Sequence, residues 1–461
     1  MTADPRQFRQ AAAAALDNAT LQESLGILDE KFIKKRRAAV EALPEFEALR
    51  DRGVAIKDHT LAHLDLYLER FADRVEATGG QVHWAADAAA ARRAVLDICR
   101  AEGVRSAVKS KSMIGEEIAI NTALEDAGIT PVETDLGEYI LQLNNERPSH
   151  IIAPAVHKRK AEVAALFLKH HGGDAPLTRG EDMVAEARRI LRKRYFAADA
   201  GITGANALVA ETGQCLLVTN EGNGDLSQTL PRVHIVIASI DKVAPTLEDA
   251  GVILRLLARS ATGQEMTSYT TFSAGPRRMG ESVGPEVFHV VLLDNGRSAL
   301  LEKPETAALL RCIKCGACMN HCPVYAAVGG HAWGTVYPGP LGGAINPALL
   351  GLSAAYHHPQ ASTLCGACEE VCPMRIPLPQ IFRHWRSEMN RARVTPAPER
   401  IGVRLWSMLA AHPRLYRLAL RAGRAALRLG AGRLIGGWSR RRAMPRPMPG
   451  SIFRDRRDRR R

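Results

Sequence analysis

"RCIKCGACMNHCP", residues 311–323, decides how the last third of the chain is read. Cys312, Cys315 and Cys318 recur every third residue, Cys322 follows after three more, and Pro323 closes the run. Thiols at that spacing converge on one small object only if the chain curls around it. Zinc sites usually pair two C-x2-C units at a distance and lack the triple with a trailing C-P. The run is instead the C-x2-C-x2-C-x3-C-P pattern of a four-iron iron–sulfur cluster. A second copy, "ASTLCGACEEVCP" (361–373), supplies Cys365, Cys368 and Cys372 but has Ser362 where the first has Cys312.

In two-cluster proteins of this type the fourth cysteine of each run serves the other cluster. The expected ligand sets are therefore Cys312, Cys315, Cys318 and Cys372 for the first cluster, and Cys322, Cys365 and Cys368 for the second. Both are expected to be [4Fe-4S]. The second, with three thiolates, takes its last ligand from Ser362, water or a neighbouring side chain, or else is a [3Fe-4S] cluster. Cys99 in "VLDICRAEG" and Cys215 in "ETGQCLLVT" lie far from this module and read as small buried side chains. Between the copies, "GGHAWGTVYPGPLGGAINP" (329–347) is expected to be irregular loop. Its glycines either merely connect or bring backbone N–H groups to the cluster sulfurs.

Upstream the periodicity changes. Residues 1–75 read as helices. From 76 to 300, short apolar runs alternate with helical ones: strands at 104–109, 130–134, 149–154, 207–210, 215–219 and 233–239, a helix at 115–128, and another after Thr246 as N-cap. "EVFHVVLLDNG" reads as a strand entering an Asn-Gly turn. Such alternation predicts an α/β domain with a largely parallel sheet. Residues 301–390 form the cysteine module and 391–461 an Arg-rich tail. In the α/β domain, Lys109, Ser110, Lys111 and Ser112 follow a strand and precede a helix, a place where an anion can bind; Glu211 closes a strand; His150 and His157 flank another.

Charge separates the tail from the body. Residues 391–461 hold twenty Arg, no Lys and three acids, a net of +17 against +13 for the whole chain, so the body is slightly acidic. That asymmetry does not describe a nucleic-acid-binding surface. Within the tail, Arg414, Arg417, Arg421, Arg424 and Arg428 make one helical stripe opposite Tyr416, Leu420 and Leu427. It suits docking on an acidic partner or an anionic membrane, while the terminal "RDRRDRRR" is expected to be disordered. The start shows no secretory pattern and no stretch approaches a membrane span, so a cytoplasmic protein is expected, with peripheral attachment at the inner face of the membrane. There the thiols stay reduced and serve as ligands.

Taken in order, "VKSKSMIGEEIAIN", "ETDLGEYILQL", "PSHIIAPAVHK", "GITGANALVAETGQCLLVTNEGN" and "CIKCGACMNHCPVY…GGHAWGTVYPGPLGG…LCGACEEVCP" resemble the lactate utilization protein B family over residues 5–390. The resemblance implies an iron–sulfur electron-transfer subunit of a multi-component bacterial system oxidising L-lactate to pyruvate, with the other subunits as partners. It also implies a core similar to CoA-transferase and ribose-phosphate-isomerase folds, in some of which a Glu near Glu211 does chemistry. No G-x-G-x-x-G stands between a strand and a helix, so no flavin or nicotinamide site is read here. The alternative is that the α/β domain itself binds and oxidises a 2-hydroxy acid, with Lys109 or Lys111 holding the carboxylate and the second cluster's open iron taking part.

Overall fold

The computed structural model describes residues 4–428, and the chain divides into two compact units, Met1–Met389 and Asn390–Arg461. The first contains ten strands: β1 (Gln81–Ala85), β2 (Ser106–Lys109), β3 (Thr130–Glu133), β4 (Ala200–Thr203), β5 (Ala207–Val209), β6 (Gln214–Thr219), β7 (Val233–Ser239), β8 (Val243–Ala244), β9 (Tyr269–Ser273) and β10 (Val287–Leu293). Six of them form a parallel sheet in the order β1-β10-β7-β4-β2-β3. Every residue of β7 is buried, as expected of a central parallel strand covered on both faces. One covering helix, Ala88–Ala101, starts where Asp87 accepts the Ala90 N–H at 2.7 Å. It buries Ala91, Val95, Ile98 and Cys99 on one side, which accounts for Cys99 as core. Helix Leu247–Thr262 is capped by Thr246, and Asn295–Gly296 turns after β10 with both φ positive, as the sequence predicts.

Four differences from the sequence reading have local causes. β5 and β6 are an antiparallel hairpin in a second sheet, β8-β5-β6-β9, because the few residues between them cannot make a parallel crossover. The helix expected over 115–128 is two, Met113–Glu117 and Ile120–Asp126, broken at Ala119 with φ 51°. Residues 149–154 form no strand. Instead His150 Nδ1 accepts the N–H groups of Ile152 and Ala153, each at 3.0 Å, and Ile151 and Ile152 pack into the cysteine module beside Met319 and Tyr325. Finally, the Gly/Pro-rich link is irregular only in its first half: residues Gly339–Leu350 are a helix, buried from Gly339 to Pro347. A Cβ on Gly342 would meet the Tyr337 carbonyl at 1.8 Å, so this glycine serves close packing rather than looping.

N-terminal helices clamp the module. Arg50 on helix Phe46–Ala62 donates to the Cys372 and Glu370 carbonyls at 2.6 and 3.1 Å, and Arg36 to the Val371 carbonyl at 2.8 Å. The second unit is described by helices Ala397–Ala411 and Pro413–Arg428, neither of which buries a residue. The terminal "RDRRDRRR" lies outside the described residues. No helix among the described residues is long and apolar enough to cross a membrane.

Candidate functional site

The two cysteine runs fold alike. Lys314 and Leu364 both take left-handed backbone (φ 58° and 56°), as do Gly316 and Gly366 (76° and 89°), and helices Ala317–Asn320 and Ala367–Glu370 follow. A left-handed non-glycine residue costs roughly 1–2 kcal/mol, and it recurs here at matching positions because the curl turns the following sulfurs inward. Cys312, Cys315, Cys318 and Cys372 line one cavity walled by Leu309, Ile313, Leu341, Met374, Ile376 and Leu378. Burial pushes the Cys315 thiol up to about 12, with Cys372 and Cys312 adding to it, and Cys372 up to about 11. Cys318 lies well above the ordinary thiol range, again through burial and its neighbouring thiols.

Cys322, Cys365 and Cys368 form the second group. Burial pushes Cys368 up to about 12, with Cys322 and Cys365 contributing; Cys365 itself is exposed. Backbone N–H groups reach the sulfurs in both groups: Lys314 to Cys312 at 3.4 Å, Ile376 to Cys372 at 3.5 Å and Tyr325 to Cys322 at 3.5 Å. None of these donors is a glycine of the link. Among the described residues no three His, Cys, Asp or Glu side chains gather as ligands of a single metal ion. Four soft donors around one apolar-walled cavity, unable to ionise readily without a nearby cation, fit a multi-iron cluster.

A second cavity, of about 220 Å³, opens at the carboxyl ends of β2, β4 and β7. Its lining includes Ser110, Lys111 and Ser112 after β2, Gly204 to Asn206 after β4, and Ser239 and Lys242 at the end of β7. Asp135, Glu221 and Asn223 face it too. Ile313 and Lys314 line both this pocket and the thiol cavity.

The 4Fe-4S dicluster domain matches residues 308–376, over this thiol-bearing region, and the LUD domain matches residues 68–293. "Lactate utilization protein B" of Bacillus velezensis is 39% identical over 91% of this chain and 88% of its own length. The protein of the same name from Lysinibacillus sphaericus is 40% identical over 93% and 90%. The chain belongs to the lactate utilization protein B family. "Uncharacterized electron transport protein YkgF" of Escherichia coli is likewise 40% identical, over 90% of this chain and 87% of that one. A crystal structure of a DUF162 family protein from Deinococcus radiodurans aligns with 50% of this chain and 98% of its own at 15% identity, with a TM-score of 0.29.

In this member of the lactate utilization protein B family the other sequence candidates fall apart in space. Lys109 is fully buried and does not line the 220 Å³ pocket. Its ammonium is held by Glu133 at 2.9 Å and Glu116 at 3.2 Å. Lys111 does line the pocket and donates to the Ile152 carbonyl at 2.5 Å. Glu211 is exposed in the β5–β6 hairpin turn and accepts the Leu247 N–H at 3.3 Å. His150 is buried, with Nε2 2.7 Å from the Asn320 amide oxygen, and His157 pairs with Glu146 at 2.9 Å. Cys215 is buried in β6.

Sequence reading missed an ion cluster at the seam between the α/β layers and the module. Arg297, 1% exposed, bonds Glu117 at 2.9 and 2.8 Å and Asp241 at 2.9 Å, and the Tyr337 hydroxyl donates to Glu117 at 2.6 Å. Each partner stands singly in sequence, with no spacing signal to link them. Lys242 was missed as well, although its place three residues beyond an apolar strand could have flagged it.

Proposed function

We propose that this protein is the iron–sulfur electron-transfer subunit of a multi-component system that oxidises L-lactate to pyruvate. Cys312, Cys315, Cys318 and Cys372 hold one cluster; Cys322, Cys365 and Cys368 hold the other, both of the [4Fe-4S] type. The observation that carries this reading is the cavity shared by the first four thiols, three from one repeat and the fourth from the other. The family names support lactate as the ultimate electron source. Each cluster, when bound, stores one electron, so a pair suits the two electrons released when a hydroxy acid becomes an oxo acid.

The chain's own residues set the conditions for that storage. Leu309, Ile313, Leu341, Met374 and Leu378 keep water from the first thiol group, and the N–H groups of Lys314, Ile376 and Tyr325 steady the sulfur charge. In the division of labour we infer, segment 1–75 clamps the module, 76–300 is the α/β domain, 301–390 carries electrons, and 391–461 docks the protein at the inner face of the membrane. Lactate oxidation itself lies with partner subunits.

Anaerobic iron and sulfide analysis with EPR tests the reading. The wild type should carry two reducible clusters, and Cys315→Ser should erase one EPR signal and stop electron transfer from reduced partners to an acceptor. Full transfer by Cys315→Ser would overturn it.

A further inference from the structure

Across the parallel sheet the order of connection reverses between the neighbouring strands β2 and β4. From β2 the chain passes to β3 on one side; from β4 it passes, through the hairpin, to β7 on the other. Where connections part in this way, the loops leave a crevice outside the carboxyl ends of the strands, and α/β proteins bind ligands there. The 220 Å³ pocket occupies that crevice.

Its chemistry is selective. Lys111 and Lys242 line it beside the two acids Asp135 and Glu221, while the third lining lysine, Lys314, turns its ammonium away to the Tyr337 hydroxyl at 3.0 Å. Burial and the nearby Asp135 raise the Glu221 pKa, which weakens the opposition to an anion. Three lining atoms are buried without a hydrogen-bond partner: Ser110 Oγ, Ser239 Oγ and Asn223 Oδ1. Ser110 and Ser239 are each 1% exposed. Buried polar atoms are normally satisfied, so three orphans in one pocket mark places for a ligand's own donors and acceptors. Lys111 spends one of three ammonium donors on Ile152, leaving two. The volume of about 220 Å³ is ample for a three-carbon acid of six heavy atoms.

We propose that this pocket binds a small 2-hydroxy or 2-oxo carboxylate, with its carboxylate at Lys111 and Lys242 and its C2 oxygen among Ser110, Ser239 and Asn223. The ligand then lies across Ile313 and Lys314 from the first thiol group, not the second. The inference rests on the electron-transfer reading for the identity of the acid alone. The binding site stands on the lining residues, and the protein becomes a subunit that senses or holds substrate or product next to its electron carrier.

Calorimetric titration of the anaerobic, cluster-loaded protein with L-lactate, pyruvate and acetate tests it. Lactate or pyruvate should bind and acetate, which lacks the oxygen at the 2-position, about tenfold or more weakly. Lys242→Gln should weaken binding at least about tenfold while iron and sulfide content stay unchanged, and Lys111→Gln should do the same. No heat with lactate or pyruvate, or binding unmoved by both substitutions, would overturn the proposal. Cluster content and EPR, read on the same samples, report separately on the electron-transfer reading, so either can fail alone.

Discussion

Ser362 stands in the second repeat where Cys312 stands in the first, and it makes the same backbone contact. Its Oγ accepts the Leu364 N–H at 3.1 Å; Cys312 Sγ accepts the Lys314 N–H at 3.4 Å. Leu364 and Lys314 share the left-handed backbone that brings this about. The position is thus already shaped to receive a ligand atom, and the change from sulfur to oxygen leaves the curl intact. Ser362→Cys should complete a fourth thiolate for the second cluster. In air it should hold its iron several-fold longer than the wild type, followed by EPR of the three-iron form that appears on oxidation. Equal rates of iron loss would mean that residue 362 does not face the cluster.

The cysteine module was the most legible part, because a spacing rule ties each thiol to a ligand role before any fold is known. The central sheet was nearly as legible, since β7 and β10 are short, mostly apolar and β-branched runs, broken only by His234 and Ser239 in the one and His289 in the other. Legibility stopped where tertiary contact overrides local pattern. Ile151 and Ile152 look like strand residues yet fill the module's flank, held by the His150 ring. The glycines at 342 and 343 look like loop yet let a helix press against Tyr337 and Phe382. Lys111 and Lys242 follow two different strands, β2 and β7, and only the strand order brings them to one pocket.

Arg297 should be the costliest single charge to remove. It neutralises Glu117 and Asp241, both held below the usual carboxylate range chiefly against burial by the Arg297 guanidinium. Arg297→Met would strand two buried carboxylates and should cost about 3–5 kcal/mol, read as a fall in the urea midpoint of the cluster-loaded protein. Carboxylates with depressed folded pKa stabilise above their unfolded value of about 4 and lose that contribution as pH falls through the folded value. The deficit of the variant should therefore be largest near neutral pH and shrink in acid.

Glu138 should behave in the opposite sense. It is 3% exposed, both carboxyl oxygens lack partners, and burial, with Glu133 next, raises its pKa well above the usual range. The folded protein therefore holds the proton more tightly than the unfolded chain, so stability falls as pH rises above about 4.3 toward the folded value. Glu138→Gln keeps the size of the protonated acid and removes the titration. It should stabilise the protein at pH 8 by about 1 kcal/mol or more, with little change at pH 5. A urea series at the two pH values decides; greater destabilisation at pH 8 would show that Glu138 is ionised and paired in solution.

Among the described residues, helix Pro413–Arg428 carries the clearest interfacial pattern. Arg414, Arg417 and Arg421 recur along one side, Leu415 and Leu418 are exposed on the rest of the surface, and Trp406 is exposed on helix Ala397–Ala411. Apolar groups of this size have little reason to face water unless they meet another surface. A basic amphipathic helix lies in the headgroup layer of an anionic bilayer, where each arginine adds roughly 1 kcal/mol. The protein should therefore sediment with vesicles rich in phosphatidylserine and stay in solution with phosphatidylcholine alone, and added salt should release it. Replacing Arg414, Arg417 and Arg421 together by Glu should abolish sedimentation while leaving iron content and cluster EPR unchanged. Leu418→Ser should weaken it with little effect on the salt dependence, because it removes apolar contact and no charge. Salt-sensitive capture by an acidic partner subunit without vesicle binding would assign this helix to protein docking instead.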